Sequence, residues 1–148
     1  MAVKTTGDFG VKAIDPDRIM RNVEGAMEAG LHEGAEMMRQ FIETRGTMRE
    51  WSRPWGASQR SASIPGRDDT GQMKNAVQGE IEDFSRDTIR GVLGWAPGSP
   101  LYYQLQEHGF FHVLTGEDVA AMYALRDAGE WTKEELDRRI RDALKGLT

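Results

Sequence analysis

The sequence predicts an α+β chain, on three observations. Apolar residues recur at helical spacing near the N-terminus, two short alternating segments flank a turn in the middle, and capping patterns start helices in the C-terminal third. At 148 residues the chain is close to the usual size of one domain, so a single domain over 1–148 is expected. Nineteen Lys and Arg against twenty-four Asp and Glu leave a net charge of -5, which provides no overall basic field to hold nucleic acid or an anionic membrane. The absence of cysteine excludes disulfides, thiolate metal sites and cysteine nucleophiles, and is compatible with folding in a reducing cytoplasm. No apolar run approaches the roughly 18 residues that cross a bilayer, and "MAVKTTGDFG" lacks the apolar segment of a signal peptide. The expectation is a soluble protein with no membrane partner.

The first element is a long helix over 15–44. Asp15 is a good N-cap, Pro16 fits the first helical position, and Asp17 sits favourably at the positive end of the helix dipole. Met20, Val23, Met27, Leu31, Gly34, Met38 and Phe41 follow at spacings of three and four, an apolar stripe reaching about Ile42. Gly25, Gly30 and Gly34 interrupt it, each at a cost of up to about 1 kcal/mol relative to alanine. Gly30 and Gly34 lie one turn apart beside the stripe, which points to close approach of a sheet or a second helix.

Residues 45–69 have no sustained period and read as an extended loop, rich in Gly, Ser, Pro and Arg. Five arginines (Arg45, Arg49, Arg53, Arg60, Arg67) against Glu50 give a balance of +4, with Trp51 and Trp55 among them. Arg and Trp are enriched at interface hot spots and also suit stacking on single-stranded bases. Protein contact ranks first here, a mobile loop second and nucleic acid third.

A sheet region is expected over 70–114. Asp69 or Thr70 caps a short helix carrying Met73, Ala76 and Val77, and the segments "VQGEIEDF" and "IRGVLGW" then form an antiparallel hairpin over 77–95 around "SRDT". After the break "APGSP", Leu101 to Glu107 forms a short helix with Leu101 and Leu105 on one side, stopped by Gly109. The tail over 115–148 is helical. Thr115 with Asp118 starts one helix over 116–128, and Thr132 with Glu135 starts another over 133–146.

Little chemistry is encoded in these patterns. Glu107, His108 and His112 are the local candidates for a metal site, but Gly109 and the Phe110–Phe111 pair argue against the continuous helix that would align them. His32 reads as an ordinary helical residue. No nucleophile elbow, phosphate loop or dinucleotide fingerprint is present. Neither a catalytic residue nor a cofactor is assigned, and the acid pairs Asp68–Asp69 and Glu80–Glu82 read as solvation and capping.

The order of a long helix, a loop ending in "IPGRDDTGQMKNAV", a hairpin, and "SPLYYQLQEHGF" before a helical tail resembles the tail-completion family of long-tailed bacteriophages, the small neck proteins that join tail to head. Thr70, Gly71 and Met73 match the family's Thr-Gly motif and the apolar residue after it. Tyr102, Tyr103, Glu107 and Gly109 match its Tyr-rich segment ending in Glu-x-Gly. The similarity spans about residues 15–128. Many members continue after the Glu-x-Gly with a proline-containing segment, whereas this chain runs "FHVLTGEDVAAMYALRDA", and its tryptophan-bearing loop is enlarged.

The resemblance implies a sheet packed against the long helix, and a subunit that assembles as a ring, commonly of six copies, at the head-proximal end of the tail. The expected partners are further copies of the chain and the adjacent tail terminator, tail tube or head–tail connector and stopper proteins. DNA would pass through the lumen without specific binding, and the protein would be found in the virion after assembly in the host cytoplasm. Trp51, Arg53, Trp55, Tyr102, Tyr103 and Glu107 are the expected contact residues. A tail terminator or head–tail stopper is the alternative within the same class. From other classes come a nucleic-acid-binding module using the Arg/Trp loop and a small metal-dependent hydrolase using Glu107 and His112.

Overall fold

The computed structural model of the chain describes residues 15–45, 71–112 and 116–145. Its architecture is α+β: a long N-terminal helix, a two-stranded antiparallel sheet and a long C-terminal helix. The elements run α1 (Pro16–Thr44), α2 (Gln72–Asn75), β1 (Val77–Phe84), β2 (Ile89–Trp95), α3 (Leu101–His108), β3 (Phe110–His112), β4 (Glu117–Val119) and α4 (Ala124–Lys145). Among the described residues no helix is long and apolar enough to cross a membrane.

Helix α1 begins where its local chemistry requires. Asp15 Oδ1 accepts from the Asp17 amide at 3.0 Å, and the Asp15 carbonyl takes the amides of Arg18 and Ile19, both at 3.1 Å. The apolar stripe is buried mainly in its second half, where Leu31, Ala35, Met38 and Ile42 enter the core. Met38 and Ile42 are wholly enclosed, each contributing about 1.5–3 kcal/mol by removal from water.

Two glycines of α1 bring α4 close. A side chain begun at Gly34 would meet Thr132 Oγ1 at 2.1 Å, and one begun at Gly30 would meet Leu136 Cδ2 at 2.6 Å. Position 30 thus faces 136 and position 34 faces 132, so the helices run antiparallel. The cost of glycine in a helix interior is offset by helix–helix approach, as the four-residue spacing implies.

Two glycines of the sheet do the same for the other side of α1. Cβ atoms on Gly79 and Gly91 would collide with Leu31, the first with its carbonyl oxygen at 2.2 Å and the second with Cδ1 at 2.5 Å. In the β1–β2 register Gly79 pairs with Leu93 and Ile81 with Gly91, so both glycines share the face turned to α1. Leu31 therefore sits in a hollow that only two missing side chains create. The register shifts between Ile81 and Asp83, a bulge beyond which β1 and β2 run on into an exposed tip.

Helix α2 is shorter than the sequence implies. Gly71, at φ +81°, precedes it, and Ala76, expected as helical, ends the turn, while Val77 opens β1 where the hairpin was expected to start. The positive φ favours glycine at position 71. Trp95 Nε1 donates to the Met73 carbonyl at 3.1 Å and holds this turn against β2.

The C-terminal third differs from expectation. In place of helices over 116–128 and 133–146, residues 117–119 pair with Phe110–His112 as a short hairpin, and one unbroken helix covers Ala124–Lys145. Thr132 is no N-cap. It is 3% exposed, mid-helix, and its hydroxyl donates to the Ala128 carbonyl at 2.6 Å. Glu135, its expected capping partner, binds the guanidinium groups of Arg138 and Arg139 instead. These two cations hold its carboxyl down to about 2.

Arg45, at the end of α1, fastens the start of α4. Its Nη1 donates to the carbonyls of Met122 at 3.2 Å and Tyr123 at 3.0 Å, and to Asp127 Oδ2 at 2.6 Å, while its guanidinium lies 3.7 Å from the centre of the Phe41 ring. Counted from sequence as part of the basic loop, Arg45 belongs instead to this clamp. Hydrogen bonds from Arg45 and Arg126 hold the Asp127 carboxyl below its ordinary value.

Candidate interaction surface

Helix α3 carries the residues on which the sequence reading converged. It follows the turn at Ala96–Pro100, where Ser99 binds the Ala96 carbonyl through both its amide at 3.1 Å and its hydroxyl at 2.6 Å. It ends at Gly109, whose φ of +80° turns the chain into β3.

The buried face of α3 is its aromatic and polar one. Tyr103, Gln106 and Glu107, at helical spacings of three and four, point into the core at 8%, 2% and 3% exposure. Tyr103 packs against Trp95 with ring centres 5.7 Å apart. The Glu107 carboxylate accepts from the amides of Leu125 at 3.0 Å and Arg126 at 2.9 Å, the first turn of α4. The carbonyls of Gln106 and Glu107 take the amides of Met122 and Tyr123 at 2.9 and 3.2 Å. Glu107 is thus an N-cap supplied from another helix, its charge placed at the positive end of the α4 dipole.

That geometry corrects two assignments. Tyr103 and Glu107 are enclosed by the chain's own core, so neither offers a surface to a neighbour. Each Glu107 oxygen accepts from a backbone amide of α4, which gives this carboxylate a capping role in the fold. Trp51, Arg53 and Trp55 lie outside the described residues, and the side chain of His112 does too. Of the six expected contact residues, Tyr102 alone is described and exposed, at 39%.

The surface that does emerge lies around Tyr102. Leu101 is 69% exposed and Leu105 40%, on the side of α3 away from the core, and Phe111 on β3 is 58% exposed. Tyr102 meets Phe110 edge-on with ring centres 6.4 Å apart, joining α3 to β3. Helix α3 is therefore turned with its aliphatic side to solvent and Gln106 and Glu107 inward. The grouping of Leu101 with Leu105 was visible in the sequence as one side of a helix. Its outward direction was not, because the groups that draw Gln106 and Glu107 inward belong to residues 122–126.

Exposed apolar side chains of this kind are suited to contact with protein. Among the described residues no group of three or more His, Asp or Glu side chains converges to hold a metal ion. The chain matches no family model, no curated protein and no solved structure.

Proposed function

We propose that the chain is a structural subunit of a bacteriophage head–tail neck, assembling as a ring that completes the tail and joins it to the head. The observation that carries this reading is the inverted α3, with Leu101, Tyr102, Leu105 and Phe111 presented outward from a segment that matches the family's Tyr-rich, Glu-x-Gly motif. A helix packed this way leaves apolar area exposed in the isolated chain, and a neighbouring subunit or ring would cover it. The order of elements agrees with the resemblance as well, with α1 lying against an antiparallel hairpin. Glu107 then keeps its place in the motif for an internal reason: it ties α3, which bears the contact surface, to α4.

The test is reconstitution. Purified chain is mixed with headless phage tails and with isolated head connectors, and sedimentation shows whether it leaves the free fraction. Co-sedimentation with either supports the proposal. A chain that stays free of both, at stoichiometric excess, refutes it.

A further inference from the structure

One non-glycine residue stands in the left-handed region of the backbone map. Tyr123, immediately before α4, has φ +53°, the single such case among the described residues. A side chain crowds the backbone there, so tyrosine adopts this conformation only where its surroundings impose it.

Those surroundings are a small set of bonds. The amides of Met122 and Tyr123 donate to the carbonyls of Gln106 and Glu107, at the end of α3, at 2.9 and 3.2 Å. The carbonyls of the same two residues accept from Arg45 Nη1 at 3.2 and 3.0 Å. Arg45 is the C-cap of α1, and Asp127 Oδ2 fixes its guanidinium at 2.6 Å. Arg126 lies over the Tyr123 ring, 3.7 Å from its centre, and shares Asp127 through Nε at 3.0 Å. Met122 and Tyr123 are thus pinned from α3 on their donor side and from α1 on their acceptor side, and the backbone pinned there is a strained one.

Helix α3 depends on this junction. Its near end follows Gly98, at φ +83°, where an added Cβ would meet nothing within 4 Å, so the chain is free to turn at that point. Beside it an open cavity of about 530 Å³ lies between β2, the Ala96–Pro100 turn and α3, lined among others by Leu93, Trp95, Tyr103 and Leu125. The cavity removes packing partners from one side of the helix, and the bonds at residues 122–126 carry a larger share of its attachment.

We propose that Met122–Tyr123 is a strained latch through which the end of α1 controls α3. With Arg45 in place the latch is shut: Tyr123 is held left-handed, Glu107 caps α4, and α3 keeps Tyr103 and Gln106 inward with Leu101 and Leu105 outward. When Arg45 leaves, Tyr123 returns to a negative φ, the amides of residues 122 and 123 part from the α3 carbonyls, and α3 turns about Gly98 away from β2. Strain favours that opening and the Arg45 bonds oppose it. The outward face of α3 is therefore presented only while the end of α1 is seated. The latch is a property of one chain; its consequence for assembly rests on the ring reading above.

Amide hydrogen exchange on the full chain tests it, with a pair of variants at position 123 to read the strain. Tyr123→Ala removes the ring and keeps a Cβ, whereas Tyr123→Gly removes both. Amides of α3 should exchange about fivefold more slowly in the glycine variant than in the alanine variant. Arg45→Gln should speed exchange in α3 and at residues 122–126 by about tenfold or more while the centre of α1 and the β1–β2 pair stay as they are, and in that background glycine at 123 should again be slower than alanine. Equal exchange in the alanine and glycine variants, or acceleration by Arg45→Gln that spreads evenly over α1 and α3, overturns the latch. Light scattering distinguishes the two readings. The expected exchange pattern in a wild type that is a strict monomer leaves the latch standing and removes the ring; an Arg45→Gln chain with an opened α3 that assembles as the wild type does refutes the control of assembly by the latch.

Discussion

Thr132 on α4 fills the space that a side chain on Gly34 of α1 would need: Cβ at position 34 would stand 2.1 Å from the Thr132 hydroxyl and 3.2 Å from its Cβ and Cγ2. The two helices meet at this point with almost no separation between the backbone of one and the side chain of the other. Adding one methyl group forces them apart or drives Thr132 from its bond to Ala128. Gly34→Ala should therefore cost about 1–3 kcal/mol in denaturant unfolding. Thr132→Ala in the same chain removes the colliding hydroxyl and methyl and should recover part of that loss. Additive costs in the double variant would show that the two positions do not touch.

The cap supplied by Glu107 makes a second prediction. Glu107→Ala takes the side-chain acceptor from the part-buried amides of Leu125 and Arg126 and should destabilise the fold by about 1 kcal/mol. The effect is local, so hydrogen exchange at the first turn of α4 should accelerate more than at the centre of α1. Equal acceleration at both would mean that Glu107 acts on the whole core and not on the helix start.

Acid should remove the contribution of the Glu135 cluster. Its carboxyl titrates near 2 in the fold, against 4.5 as its ordinary value. A depressed carboxyl stabilises the folded state in full above the unfolded value, and that stabilisation is lost as pH falls from about 4.5 through about 2. The thermal midpoint of Glu135→Gln should lie below that of the wild type at pH 7, and the two should converge towards pH 2. Salt should narrow the gap at pH 7 as well, because the arginine partners are reached by solvent. A gap that persists at low pH would assign the effect to packing.

On the outward face of α3, substitution should separate assembly from stability. Leu101→Ser with Leu105→Ser removes two side chains that solvent already reaches, so the unfolding midpoint should move by under about 1 kcal/mol equivalent. Self-association and capture by tails should fall together. A large loss of stability would place these leucines in the fold and not at a contact.

Local signals were readable in the sequence and distant ones were not. Asp15–Pro16 marks the start of α1 by itself, and the 77–95 hairpin declares itself through two alternating segments and one turn. Gly30 and Gly34 were informative because glycine within a helix is costly and four-residue spacing keeps both on one face. Thr132 and Glu135 misled for the opposite reason. Their spacing imitates a capping box, but the Thr132 hydroxyl bonds the Ala128 carbonyl in the room left by Gly34 and Glu135 binds Arg138 and Arg139, so the helix runs straight through. Tyr103 and Glu107 were legible as special residues without being legible as buried ones, because what buries them is Trp95 on β2 and the amides of α4.

The outward turn of α3 is the feature from which the functional proposal follows, and the mass of the chain in solution tests it most directly. Light scattering behind size exclusion, run on the wild type and on the Leu101→Ser/Leu105→Ser variant over a concentration series, should show the wild type as a closed oligomer of several copies and the variant as a monomer with an unchanged fold. A wild type that remains a monomer throughout and never binds a phage tail would contradict the account.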